Sequence, residues 1–294
     1  MTWINIYTVL FRSNFIFLID VYLYMGGGKL LMYYQTFTNL SPILASNPKV
    51  THIHLSSIHF GTNENQTPYI HLNNDSPYCK KFDTVWGQLA EAASLGIKVK
   101  LMIGGAGGGY SSLFSNFDEY YHLLSKLLHD KSVISGVDLD IEEAVTINNV
   151  IKLISKLKSD FGDDLTISMA PIQASLETDD PGMGGFSYKE LLQSPVGKYI
   201  DYFNVQFYSD FSADAYEKIV GNGYLPEMIV MGAMAGEKDD GEIERCVKKY
   251  NDKFGGVFVW EYCFAKPDPA AWVRDIYKLL HNLDENPARS CCLC

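Results

Sequence analysis

The stretch Ser135-Gly136-Val137-Asp138-Leu139-Asp140-Ile141-Glu142-Glu143 decides how the rest of the chain is read. Side chains alternate across a strand, so Asp138, Asp140 and Glu142 share one face and Val137, Leu139 and Ile141 the other. The apolar face demands burial, which argues against a solvent-exposed edge strand. Three carboxylates on the opposite face cannot all stay charged in a buried interior, because each uncompensated charge costs several kcal/mol. They must share protons or hydrogen bonds. That drives their pKa values apart and leaves one carboxyl able to donate a proton near neutral pH. A hard-cation site is the alternative use of such a cluster, although no His completes a ligand set there. Glu143 falls on the other parity and is expected at the surface or against a helix.

Working outward, short apolar runs ending in Gly or polar residues recur along the chain. They lie at Leu30–Phe37, Thr51–Phe60, Lys98–Gly104, Gly136–Glu142, Leu165–Pro171, Tyr202–Tyr208, Met228–Met234 and Gly256–Tyr262. Each reads as a buried parallel strand. Between them, Phe82–Ser94, Asn116–Lys131, Thr146–Phe161, Tyr188–Leu192, Ser212–Val220, Glu242–Phe254 and Pro269–Leu283 carry the helical period, while Leu40–Ser46 is only weakly helical. Ser212 is a predicted N-cap and Pro269 opens the last helix. Eight strands alternating with helices predict an α/β fold, a single-domain (β/α)8 TIM barrel. An open doubly wound sheet would place a Gly-rich phosphate loop after the first strand, where the chain reads Thr38-Asn39-Leu40-Ser41-Pro42 instead. The barrel is expected over residues 29–284, after an extension at 1–28 and before a Cys-rich tail at 285–294. The longest connection, Gly61–Lys81, reads as a functional loop on the rim.

Acidic residues outnumber basic ones 35 to 24, a net charge of −11, so the surface repels a phosphate backbone and nucleic acid is not an expected partner. A neutral polysaccharide is compatible with it. Hydrophobic residues make up 47% of the chain, enough for a full core. Cys79, Cys246 and Cys263 lie far apart in the body, and Cys291, Cys292 and Cys294 crowd the tail. With no Cys/His cluster at zinc spacing, neither a metal nor a cofactor is expected. His52, His54 and His59 read as packed or solvated, since no nearby carboxylate pattern suggests a ligand set. The apolar run Phe15–Ile19 is broken by Asp20 and makes a poor signal peptide and too short a membrane span. Residues 1–24 are thus either a signal or anchor or a dispensable extension, with Met25 an alternative start ahead of Gly26-Gly27-Gly28. Lipidation at Gly26 or in the tail leaves membrane association open, and with it the choice between a secreted and a cytosolic protein.

The central stretch resembles the DGxDxDxE signature of glycoside hydrolase family 18, the chitinase and endo-β-N-acetylglucosaminidase family, with Ser135 in place of its first Asp. Leu101-Met102-Ile103-Gly104-Gly105-Ala106-Gly107-Gly108 resembles the family's glycine motif, with Met102 where many members have Ser. Met169-Ala170-Pro171, Asn204-Val205-Gln206-Phe207-Tyr208 and Gly255-Gly256-Val257-Phe258-Val259-Trp260-Glu261-Tyr262 match further strand ends in order. The wording is nearest the fungal branch that includes endo-β-N-acetylglucosaminidases. The resemblance implies a retaining, substrate-assisted mechanism, an exception to the two-carboxylate scheme. Under it, Glu142 protonates the glycosidic oxygen and the sugar's own 2-acetamido carbonyl attacks the anomeric carbon. Asp140 holds the acetamide N–H, Asp138 shares a proton with Asp140, and Tyr208 hydrogen-bonds the acetamide carbonyl. Trp260 floors the sugar, Gln206, Tyr34 and Met169 wall it, and Gly104 and Gly105 allow close approach. The implied substrate is an N-acetylglucosamine-containing oligo- or polysaccharide or a glycoprotein N-glycan, cut by a monomer. A catalytically silent chitinase-like lectin is the alternative.

Overall fold

A computed structural model describes residues 28–45 and 49–281. The N-terminal extension, nearly all of it, and the Cys-rich tail lie outside the described residues, as do the expectations that fall on them. Nine strands form one sheet: β1 (Lys29–Tyr34), β2 (His52–Thr62), β3 (Pro68–Leu72), β4 (Lys98–Gly104), β5 (Ile134–Asp140), β6 (Thr166–Met169), β7 (Tyr202–Val205), β8 (Ile229–Met234) and β9 (Gly256–Trp260). All but β3 pair in parallel, and β1 pairs with both β2 and β9, so eight strands close into a barrel. Helices between the strands complete the (β/α)8 fold, among them Asp83–Ser94, Phe117–Asp130, Ile147–Phe161 and Pro269–Leu280. The hydroxyls of Thr146 and Ser212 accept from the backbone N–H three residues on, and the carboxylate of Asp268 does the same. Each cap satisfies a donor that the helix itself leaves orphaned, worth about 1 kcal/mol. Among the described residues, no helix is long and apolar enough to cross a membrane.

Two departures from the sequence reading bear on function. The span Gly61–Lys81 is not a loop throughout: β2 runs on to Thr62 and β3 folds back antiparallel on it, with Phe60 opposite Ile70. Its turn is closed by the Asn63 side chain, which accepts from the backbone N–H groups of Asn65 and Thr67. No Asn-Gly or Asp-Gly pair signals such a turn, so the polar run hides it. Several strands also end early. β5 stops at Asp140, β6 at Met169 and β7 at Val205, although burial continues beyond each. Apolar character reports burial, whereas a strand also needs ladder hydrogen bonds. Past these points single backbone bonds continue, from Ala170 N–H to the Leu139 carbonyl and from Gln206 N–H to the Pro171 carbonyl, and the chains build the barrel mouth.

Strand alternation divides the interior into two cores. The larger lies between sheet and helices and takes Leu30, Met32 and Tyr34 from β1, Val137 and Leu139 from β5, and Ile167 and Met169 from β6. The smaller lies inside the barrel, where Leu31, Tyr33, Met102, Tyr202, Val230 and Phe258 pack together with Tyr208 and Trp260 against them. Asp138, Asp140, Ser168, Asn204, His54 and Lys100 are among the buried polar residues on this inner parity.

Candidate active site

The inward column of β5 is ordered from below upward. Asp138 is wholly buried. Its Oδ2 accepts from the Tyr33 hydroxyl at 2.6 Å, and its Oδ1 accepts from Ser168 Oγ at 2.6 Å and Asn204 Nδ2 at 3.0 Å. The imidazole Nδ1 of His54 lies 3.3 Å from Oδ2. Burial pushes this carboxyl up, but the adjacent His54 and the hydrogen bonds from His54, Ser168 and Tyr33 outweigh it and hold the pKa down at about 2. His54 is packed, one of the two readings its sequence left open, and it has a carboxylate beside it. It comes from β2, and its partner is supplied by a strand more than eighty residues away in sequence, which no local pattern reveals. Lys100 is buried in the same tier and donates to Ser168 Oγ at 3.2 Å.

One step higher, Asp140 is also buried but has far fewer partners. Gln206 Nε2 approaches its Oδ1 at 3.3 Å. Burial first, then the charges of Glu142 and Asp138, push the Asp140 carboxyl well above the usual carboxylate range. The two carboxyls are thus pushed apart: the lower one favours the ionised form and the upper one favours keeping a proton. Any proton the pair shares resides on Asp140, because both Asp138 oxygens are already taken by donors. Gln206 Nε2 also lies 3.3 Å from Glu142 Oε1 and donates to the Ala170 carbonyl at 3.0 Å, so one amide clasps Asp140 and Glu142 together.

Above the column opens a groove of about 970 Å³ lined by Asp140, Glu142, Gln206, Tyr208, Trp260, Gly104 and Gly105 among others. Tyr208 keeps its proton, since burial and then Asp140 and Glu142 push its phenol pKa far up; it is a hydrogen-bond donor at any ordinary pH. Trp260 tilts against Tyr33 with ring centroids 5.3 Å apart. Gly104 and Gly105 both have positive φ, 93° and 81°. A Cβ on Gly104 would meet the Asp140 carbonyl oxygen at 2.3 Å, and one on Gly105 would meet Met102 Cε at 2.8 Å. Their bareness is required by packing beneath Asp140 as well as by the opening above it.

Two sequence candidates are elsewhere. Tyr34 faces the helix layer, where its hydroxyl donates to Gln88 Oε1 at 3.2 Å, and Met169 lies wholly buried in the same outer core. Neither lines the groove. The reason is parity: the inward residues of β1 and β6 are Tyr33 and Ser168, one position earlier in each strand. Glu143 turns away from the column, as its parity predicts, and accepts from the backbone N–H groups of Tyr110 and Ser111. Among the described residues, no group of three or more His, Cys, Asp or Glu is placed to hold a metal ion.

Other groove residues carry no sequence signal. Gln35 and Thr36 are tied to the buried Glu261, which accepts from the Gln35 N–H at 3.0 Å and the Thr36 hydroxyl at 2.8 Å. Asn73 fastens the β2–β3 hairpin to the rim, its Oδ1 accepting from Ser57 N–H and its Nδ2 donating to the Gln35 carbonyl. His59, also on the groove wall, has Nδ1 2.9 Å from the Gly108 carbonyl. Met183 and Met234 stand exposed at the groove edge.

The family model described as "Glycosyl hydrolases family 18" matches residues 29–228, and the chain belongs to that family. Among solved structures, a fungal endo-β-N-acetylglucosaminidase of family 18 superposes with a TM-score of 0.74 at 30% identity, covering 86% of this chain and 98% of that one. The chitinase ChiC of Aspergillus fumigatus gives 0.73 at 30% identity, covering 80% and 91%. A family 18 chitinase from Pseudoalteromonas aurantia shares the fold, with a TM-score of 0.67 at 21% identity over 86% of this chain and 100% of that one. No curated protein matches the chain in sequence. Family and neighbours together imply a glycosidase.

Proposed function

We propose that this chain is an endo-acting glycosidase that cleaves β-1,4 linkages at N-acetylglucosamine with retention, using the substrate's acetamide as nucleophile. The observation that carries this reading is the split column. Asp140 has few partners at the groove floor and its hold on a proton is raised, while Asp138 beneath it is saturated with donors and its pKa is lowered. A carboxyl that keeps its proton is a poor nucleophile but a good partner for an acetamide. The free carbonyl oxygen of Asp140 accepts a hydrogen bond from the acetamide N–H, a bond that strengthens as positive charge develops on the oxazolinium ring while Asp140 keeps its own proton. Tyr208, a permanent donor on the groove wall, orients the acetamide carbonyl for attack on the anomeric carbon. Glu142, clasped through Gln206, gives its proton to the departing oxygen and later takes one from water. Trp260 offers an apolar face under the sugar.

The chitobiose core of N-glycans and chitin both present N-acetylglucosamine at the cleavage position. The sequence wording favours the glycan core, while the similar solved structures include both a fungal endo-β-N-acetylglucosaminidase and a fungal chitinase at 30% identity. Glycan release from a high-mannose glycoprotein, measured beside cleavage of chito-oligosaccharides, tests this. Release of intact glycan is expected. Cleavage of chitin oligomers alone would make the chain a chitinase. Binding without turnover, unchanged by Glu142→Gln, would make it a lectin.

A further inference from the structure

The lower tier contains a residue that the proposed chemistry does not use. His54 is fully buried on β2, and its two ring nitrogens have unlike partners. Nδ1 faces Asp138 Oδ2 at 3.3 Å, and Nε2 lies 3.3 Å from the Tyr202 hydroxyl. A tyrosine hydroxyl can donate to an imidazole nitrogen, whereas a carboxylate can only accept. Nδ1 therefore carries a proton aimed at Asp138, and burial disfavours a second one on Nε2. Asn204 Nδ2 lies 3.4 Å from the same Nδ1 but has the closer partner in Asp138 Oδ1 at 3.0 Å. The other groups around the ring are Tyr33, edge-on at 5.0 Å, His52 at 6.4 Å and Lys100. Burial first lowers the affinity of His54 for a second proton, Asp138 opposes this, and Lys100 adds to it; the net direction is down.

We propose that His54 is a positioning residue whose Nδ1–H locks Asp138 as a carboxylate, so that the proton of the column stays on Asp140 beneath the sugar. Take that donor away and Asp138 competes with Asp140 for the proton. Asp140 then spends part of its time without the proton, and Asp138 takes up a proton of its own at a higher pH than in the wild type. The inference rests on the substrate-assisted reading for its consequence, but the tautomer itself does not depend on substrate.

The test compares three variants with the wild-type chain. In His54→Ala the acid limb of kcat/KM should move up by about one to two pH units, the worth of one hydrogen bond to a charged group. At the optimum, kcat should fall roughly tenfold with KM within about twofold, the signature of lost transition-state stabilisation. His54→Asn places an amide N–H near the Nδ1 position and should restore the wild-type limb, whereas His54→Gln, whose amide reaches the Nε2 position, should not. If His54→Ala does not fold, the Asn and Gln pair decides alone. An acid limb unmoved in Ala, or moved equally in Asn and Gln, overturns the proposal and leaves His54 a packing residue. Independently, the ring ¹⁵N shifts of His54 should show the neutral Nδ1–H tautomer at neutral pH, in line with its lowered affinity for a second proton. A cation or an Nε2–H tautomer at that pH overturns it too. A wild-type chain that cleaves neither substrate would instead sink the proposed function, with the NMR result still deciding the state of His54.

Discussion

Asp138 and Asp140 are two residues apart on one strand, face the same way and are both buried, yet they are opposite in character. Asp138 has four polar partners and is held near pH 2, while Asp140 has one long contact to Gln206 and is driven up. The difference lies in the neighbouring strands. At the lower tier β1, β2, β6 and β7 each contribute a donor to Asp138, as Tyr33, His54, Ser168 and Asn204. At the upper tier β6 and β7 have already ended, so the donors are missing and a groove lies there instead. A saturated carboxylate stabilises a fold, and an unsaturated one is free for a substrate.

The largest effect should come from breaking the lower tier. Asp138→Ala strands four groups without their acceptor and should cost about 3–5 kcal/mol, as removal of one partner of a buried charged pair does; a denaturant midpoint near that of the wild type would contradict this. Asp140→Asn should do the reverse, leaving the midpoint unchanged or raised while the rate falls by about 10²–10³ through loss of the group that answers charge in the transition state. The two tiers should also respond to acid with opposite signs. Asp138 has a lowered folded pKa, so its contribution is complete above about pH 4 and lost as pH falls toward 2, about 2 kcal/mol for a pKa held down at about 2. Asp140 has a raised folded pKa, so its contribution is complete below about pH 4 and is lost as pH rises through its folded value. Melting temperature against pH should therefore fall less with rising pH in Asp140→Asn than in the wild type. The smallest effect belongs to the outward parity: Met169→Leu should change stability by less than about 1.5 kcal/mol and leave kcat/KM within about twofold. A tenfold loss of kcat/KM would put Met169 back at the groove.

The same contrast marks what could be read from sequence. The barrel was legible because each strand core carries a dense apolar run, and β4 was bounded to the residue. The carboxylate column was legible because parity within one strand is a local property. Parity was available for β1 and β6 too, where it selects Tyr33 and Ser168, and the choice of Tyr34 and Met169 went against it. The partners of Asp138 were hidden for another reason. They come from four strands, and only closure of the barrel brings His54 across from β2 and Asn204 from β7. Groove residues such as Asn73 and Met183 sit on connections with no period to betray a facing direction.

The proposed nucleophile is the substrate's acetamide and not a carboxylate of the protein, and substrates fluorinated at the acetamide test that assignment directly. Fluorine weakens the carbonyl oxygen as a nucleophile and leaves the sugar ring and leaving group intact. The wild-type kcat should drop steeply along the series acetyl, fluoroacetyl, trifluoroacetyl, by roughly 10² or more at the end, as expected when the weakened group must attack in the transition state. A kcat indifferent to fluorination would show that Asp140 or Glu142 attacks the sugar itself, and would contradict the division of work between the two tiers.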